Sequence, residues 1–153
     1  MNDSTEKKLD ELYSTRDVQI AWSILDDYNA GRASSTAAQD LITRITTMVR
    51  EKRISFTSNP ERTKKYAEIL EAIATTQLKV QTWRRTADAR YALRTLAETP
   101  DFAELGYDQS RIEELARDFN KNYADNEYRI SGFSYTCPKT KKVVHIDIMD
   151  RAA

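Results

Sequence analysis

A chain of 153 residues with 24 Lys and Arg against 24 Asp and Glu has no formal net charge, which excludes the simplest nucleic-acid binder, one that is basic overall. With 31% charged residues, three Gly and three Pro, the composition is that of a mostly helical soluble protein, not a loop-rich or disordered one. Cys137 is the single cysteine, so no intrachain disulfide can form and a reducing compartment is expected; with no long apolar run and no apolar N-terminus, the chain reads as cytoplasmic, without a signal peptide or membrane span.

In chain order, residues 1 to about 12 are polar and of mixed charge and read as a frayed end. A hydroxyl at Ser14 or Thr15 can cap a first helix running to about Ala30. Val18, Ala21, Trp22, Leu25 and Tyr28 form one stripe, and Ile20 and Ile24 broaden it. Gly31, which accepts the left-handed conformation, ends it. Ser34, Ser35 and Thr36 offer a new cap before a helix carrying Ala38, Leu41, Ile42, Ile45, Met48 and Val49 at the same period.

Two readings of this helix pair stand: two core helices that pack together, which spacing alone favours, or a small DNA-binding unit. Arg44, Arg50, Lys52 and Arg53 gather at the end of the second helix against Glu51. With Arg32 at the intervening turn they are the candidate phosphate-binding residues, although cations also offset a helix C-terminus.

After the β-prone connector Ile54 to Ser58, the stretch Asn59 to Glu98 reads as one long helix, or as two meeting near Thr75 and Thr76. Asn59 can cap it, Pro60 sits where a missing N–H costs nothing, and Pro100 stops it at Thr99. Tyr66, Ile69, Leu70, Ile73, Val80, Trp83, Ala87 and Tyr91 recur at three- and four-residue steps along one side. A continuous rod of on the order of 55–60 Å exceeds the diameter of a small globule, so these eight residues are expected to be an oligomer interface. Lys64, Lys65, Lys79, Arg84, Arg85, Arg90 and Arg94 make the stretch basic; they can line a groove for nucleic acid or form the outward face of an amphipathic helix.

Beyond Pro100 a turn leads to a helix started by Asp108 or Ser110, with capping-box spacing from Ser110 to Glu113 and a stripe of Ile112, Leu115, Ala116, Phe119 and Tyr123. Residues 99–126 are acidic and complement the basic stretch before them. From Glu127 the period changes to alternation, and EYRISGFSYTC and KVVHIDIMD read as a β-hairpin about a PKTK turn. A lone hairpin is marginal in water, so sister hairpins closing into an intersubunit barrel are expected to complete it. Cys137 and His145 are too few for zinc, Asp147 and Asp150 too sparse for another metal, and Asp26 and Asp27 fit the polar side of the first helix. No Walker A, G-x-G-x-x-G, G-x-S-x-G or H-E-x-x-H pattern occurs, so no cofactor and no enzymatic activity are expected.

The expected architecture is mainly α: an N-terminal helical module (1–57), a long central helical hairpin or spine for oligomerisation (58–126), and a C-terminal β-hairpin and tail (127–153). That order resembles the small terminase subunits of tailed bacteriophages. Locally, NPERTKKYAEILEAIATTQLKVQTW looks like the central helix of the T-even phage members, with a proline and arginine at its start, an apolar run, then threonines before a second apolar run. The resemblance implies a non-catalytic ring homo-oligomer that recognises double-stranded viral DNA through residues 1–57 and regulates a separate large terminase subunit in the host cytoplasm. Two other classes compete: a helical adaptor or inhibitor of another protein, and a coat-like filament protein holding RNA on Arg84, Arg85, Arg90 and Arg94.

Overall fold

The computed structural model describes residues 2–75, 82–122, 133–136 and 143–146. Among them the chain is mainly helical, with helices α1 (Asn2–Thr15), α2 (Val18–Asn29), α3 (Ala37–Arg50), α4 (Pro60–Thr75), α5 (Thr82–Glu98), α6 (Pro100–Ala103) and α7 (Gln109–Asn122). It divides into two compact units, Met1–Ile69 and Leu70–Ala153.

In the first unit α1, α2 and α3 pack on one another. The N-terminus is not frayed: α1 buries Thr5, Leu9 and Leu12, which at steps of four and three share one side of the helix. Two leucines in a polar segment are a weak sequence signal, yet they suffice once α2 and α3 supply a surface. The expected hydroxyl cap of α2 is also corrected. Thr15 ends α1, Arg16 takes the left-handed conformation at φ 58°, and its N–H bonds to the Leu12 carbonyl at 2.7 Å. Asp17, in extended geometry, is the cap of α2, its carboxylate accepting from the Gln19 N–H at 3.0 Å.

Helix α2 buries Ala21, Ile24, Leu25 and Tyr28 and closes as the sequence implies. Gly31 has φ 76°, its N–H reaches the Tyr28 carbonyl, and the Arg32 N–H reaches that of Asp27, the paired bonds of a Schellman end. Helix α3 buries Ala37, Ala38, Leu41, Ile42, Ile45, Met48 and Val49. Thr36 precedes it without capping through its side chain; its hydroxyl is directed to Asp40 instead. The far end of α3 repeats the Schellman pattern with Lys52, at φ 62°, where a glycine is usual. Asn59 and Pro60 open α4 at the expected places, the Thr63 N–H bonding to the Asn59 carbonyl at 2.9 Å.

In the second unit α5 packs against α6 and α7. Ala89, Ala92, Leu93, Leu96, Phe102, Ile112, Leu115, Ala116 and Phe119 are buried. Glu71 ties the last turn of α4 to this core by accepting from the Tyr107 hydroxyl at 2.7 Å and from Arg111. Thr99 and Pro100 separate α5 from α6 as expected. The cap of α7 is Asp108, which accepts from the Arg111 N–H at 3.0 Å; Glu113 binds Gln109 rather than completing a capping box with Ser110.

Of the C-terminal segment the structure describes two four-residue strands, β1 (Phe133–Thr136) and β2 (Val143–Ile146), antiparallel with Phe133 opposite Ile146. Their turn and flanks lie outside the described residues, so the expected hairpin and its intersubunit barrel are proposals. Also outside are residues 76–81, where the two halves of the expected spine meet, together with Tyr123. No described helix is long and apolar enough to cross a membrane.

Replacing Leu12, which has no exposed surface, by Ala should cost about 2–5 kcal/mol in urea unfolding. An unchanged midpoint would mean that the first helix is frayed.

Candidate nucleic-acid interface

The five cations singled out by sequence are not equivalent once folded. Tyr13, on the last turn of α1, lies between two of them. The Arg53 guanidinium is 4.2 Å and that of Arg44 5.7 Å from the ring centroid. Arg53 also donates from Nη1 to the Tyr13 carbonyl at 3.0 Å and lies 3.5 Å from the Glu51 carboxylate. Arg44 pairs with Asp10 at 3.4 Å. The Tyr13 hydroxyl donates to Glu51; that bond first, then burial and the carboxylate charge, pushes the phenol above its ordinary value against the opposing pull of Arg53. Each cation–π contact at an exposed site is worth about 0.5–1 kcal/mol, so this group mainly fixes the end of α1 against α3.

Arg44 is poorly placed for phosphate. It lines a hollow of about 390 Å³ with Glu6, Asp10 and Asp40, whose carboxylates outnumber it. Arg32 is committed to Asp27, with Nε and Nη2 at 3.2 and 3.1 Å from Oδ1. The other oxygen of Asp27 accepts from Lys8 Nζ at 2.5 Å, and Lys8 also donates to Ser23. The bond from Lys8, opposed by partial burial and assisted by Arg32, holds the Asp27 carboxyl below its ordinary value. By contrast Arg50 and Lys52 are exposed and, among the described residues, make no side-chain hydrogen bond or ion pair. The left-handed backbone at Lys52 sets its side chain on the turn after α3, beside Arg53.

Of the expected oligomer stripe, Tyr66, Ile69, Leu70 and Ile73 are buried within the single chain. Ala87 is exposed and Tyr91 half-buried, while Val80 and the side chain of Trp83 lie outside the described residues. Among the other basic positions Arg85 is buried, with Nη2 3.5 Å from the Ala72 carbonyl, and is therefore not a groove residue; Arg94 is exposed and Arg90 partly so. Lys79, Cys137, Asp147 and Asp150, and the side chains of Arg84 and His145, lie outside the described residues. Among those described, no group of three His, Cys, Asp or Glu side chains is arranged to hold a metal.

A second group of cations forms a unit only in the fold. Arg16, Arg62 and Lys65 line a cleft of about 650 Å³ with Thr15, Asp17, Val18, Asn59, Pro60 and Glu61. Its two halves are some forty residues apart in the chain, so no local motif could reveal it.

Comparison with protein-family models, with curated proteins and with solved structures finds no match to this chain.

Because Asp27 is depressed in the folded state, its stabilising effect is complete above the ordinary value of 3.8 and is lost as pH falls through the lower folded value. Asp27→Asn should therefore lower stability near neutral pH and flatten the acid limb below about pH 4, as followed by urea titrations at stepped pH. An unchanged acid limb would remove Asp27 from the acid response.

Proposed function

We propose that the chain is a non-catalytic DNA-binding protein resembling the small terminase subunit, which recognises viral DNA and regulates the large terminase during genome packaging. The observation that carries the reading is the exposed, uncommitted pair Arg50 and Lys52 at the end of α3, with Arg53 braced beside them on Tyr13. Phosphates meet these three, and Arg44 and Arg32 contribute only by giving up Asp10 and Asp27. Two to three contacts per chain give weak, salt-sensitive binding, so useful affinity comes from several copies acting together. Self-assembly then rests on the exposed end of the expected stripe, Ala87 and Tyr91, and on residues 127–149 closing as a hairpin with those of sister chains. Double-stranded DNA and the large terminase subunit are the partners of this reading.

A second reading, a helical adaptor that binds another protein, is favoured by one observation. Most of the basic cluster is already neutralised: Arg32, Arg44 and Arg53 each face a carboxylate within the chain.

Fluorescence anisotropy with duplex DNA over a salt series separates the two. In the DNA-binding reading, Arg50→Ala with Lys52→Ala should reduce the log–log salt slope by about 2 per chain and leave helicity unchanged. Equal affinity and slope in the wild type and the double variant would leave the adaptor reading standing.

A further inference from the structure

The run Arg50, Glu51, Lys52 and Arg53 sets one acid among the three cations of the proposed phosphate face. That acid is the C-cap of α3. A carboxylate there faces the negative end of the helix dipole, so the helix itself gives no reason for it. Glu51 has two partners outside the helix instead. Its Oε1 accepts from the Tyr13 hydroxyl on α1 and lies 3.5 Å from the Nε of Arg53.

Arg53 does not depend on that carboxylate for its place. Its guanidinium lies 4.2 Å from the centroid of the Tyr13 ring, and its Nη1 donates to the Tyr13 carbonyl at 3.0 Å. The 3.5 Å separation from Glu51 exceeds the roughly 2.7–2.9 Å of a strong charge-assisted hydrogen bond, so the carboxylate screens Arg53 without locking it. The Glu51 side chain is 47% exposed and has solvent to turn into when another anion takes its place. The Tyr13 hydroxyl opposes that turn. Among the described residues Arg50 and Lys52 have no such acid on them, so the screening falls on Arg53 alone of the three.

Resting on the DNA-binding reading above, we propose that Glu51, held by the Tyr13 hydroxyl, is a built-in competitor for DNA phosphate at Arg53 and so limits how tightly one chain binds. A phosphate that reaches Arg53 either displaces the carboxylate or shares the cation with it. In both cases a neutral pair releases fewer counterions than an unpaired arginine would. Binding by one copy stays weak, and a stable complex needs several copies together.

The test is fluorescence anisotropy of the full chain with duplex DNA over a salt series, in a cycle of Glu51→Gln, Arg53→Ala and the double variant. Glutamine keeps the shape of the side chain and still accepts from the Tyr13 hydroxyl, but carries no charge. Glu51→Gln should bind about two- to fivefold more tightly at low salt, the strength of a surface ion pair, with a log–log salt slope steeper by up to about one. In the Arg53→Ala background the same substitution should gain less than half as much. Tyr13→Phe keeps the ring and carbonyl that hold Arg53 and removes the hydroxyl that holds Glu51, so it should also tighten binding, with helicity unchanged. A gain undiminished in the Arg53→Ala background would mark general repulsion of DNA by the carboxylate and overturn the proposal. Salt-dependent binding by the wild type that neither Glu51→Gln nor Tyr13→Phe tightens would overturn it too, and would leave the DNA-binding reading in place. Absence of salt-dependent binding in the wild type and in Glu51→Gln alike would overturn that reading, and this proposal with it.

Discussion

The interior placement of one side of α4 is the constraint on which the rest of the structure depends. Tyr66 and Ile69 belong to the first unit, Leu70 and Ile73 to the second, and all four have no exposed surface. Apolar side chains recurring every three or four residues must be removed from water, but the pattern does not say by what. Here the α4 half of the stripe is buried within one polypeptide.

The helix ends carry the second theme. Gly31 closes α2 in the conventional way, by taking a conformation that other residues avoid. Arg16 and Lys52 occupy the same backbone region at the ends of α1 and α3, where a side chain costs about 1–2 kcal/mol relative to the right-handed conformation. In both places a cation is thereby fixed on a tight turn. Lys52 stands in solvent next to Arg50 and Arg53, and Arg16 lines the cleft at the start of α4. Strained positions of this kind concentrate at binding sites because the surrounding structure must hold them.

What could be read from the residues follows from how local each signal is. Helices α2, α3 and α7 carry dense apolar stripes; that of α3 is buried throughout, as with Leu41, Ile42, Ile45, Met48 and Val49, while in α2 Ala21, Ile24, Leu25 and Tyr28 are buried and Val18, Ile20 and Trp22 only half-buried. Helix α1 was hidden because Leu9 and Leu12 are its only buried apolar side chains and its length is otherwise polar. Caps were harder to place: Thr15, Ser110 and the threonine before α3 all have suitable hydroxyls, yet Asp17 and Asp108 do the capping, since a carboxylate competes well for the same N–H groups. Of the candidate phosphate ligands, composition could not show that Arg44 and Arg53 flank Tyr13 or that Arg32 is held by Asp27. Those pairings depend on packing between α1, α2 and α3. The cleft of Arg16, Arg62 and Lys65 joins residues distant in sequence and emerges only from the fold.

Hydrogen exchange along α4 tests the central claim most directly. If the chain itself covers Tyr66, Ile69, Leu70 and Ile73, the amide protection of these residues should be the same when the protein is diluted a hundredfold. Protection that falls on dilution, in step with loss of an oligomer, would show that another subunit covers this side of the helix and would contradict the account.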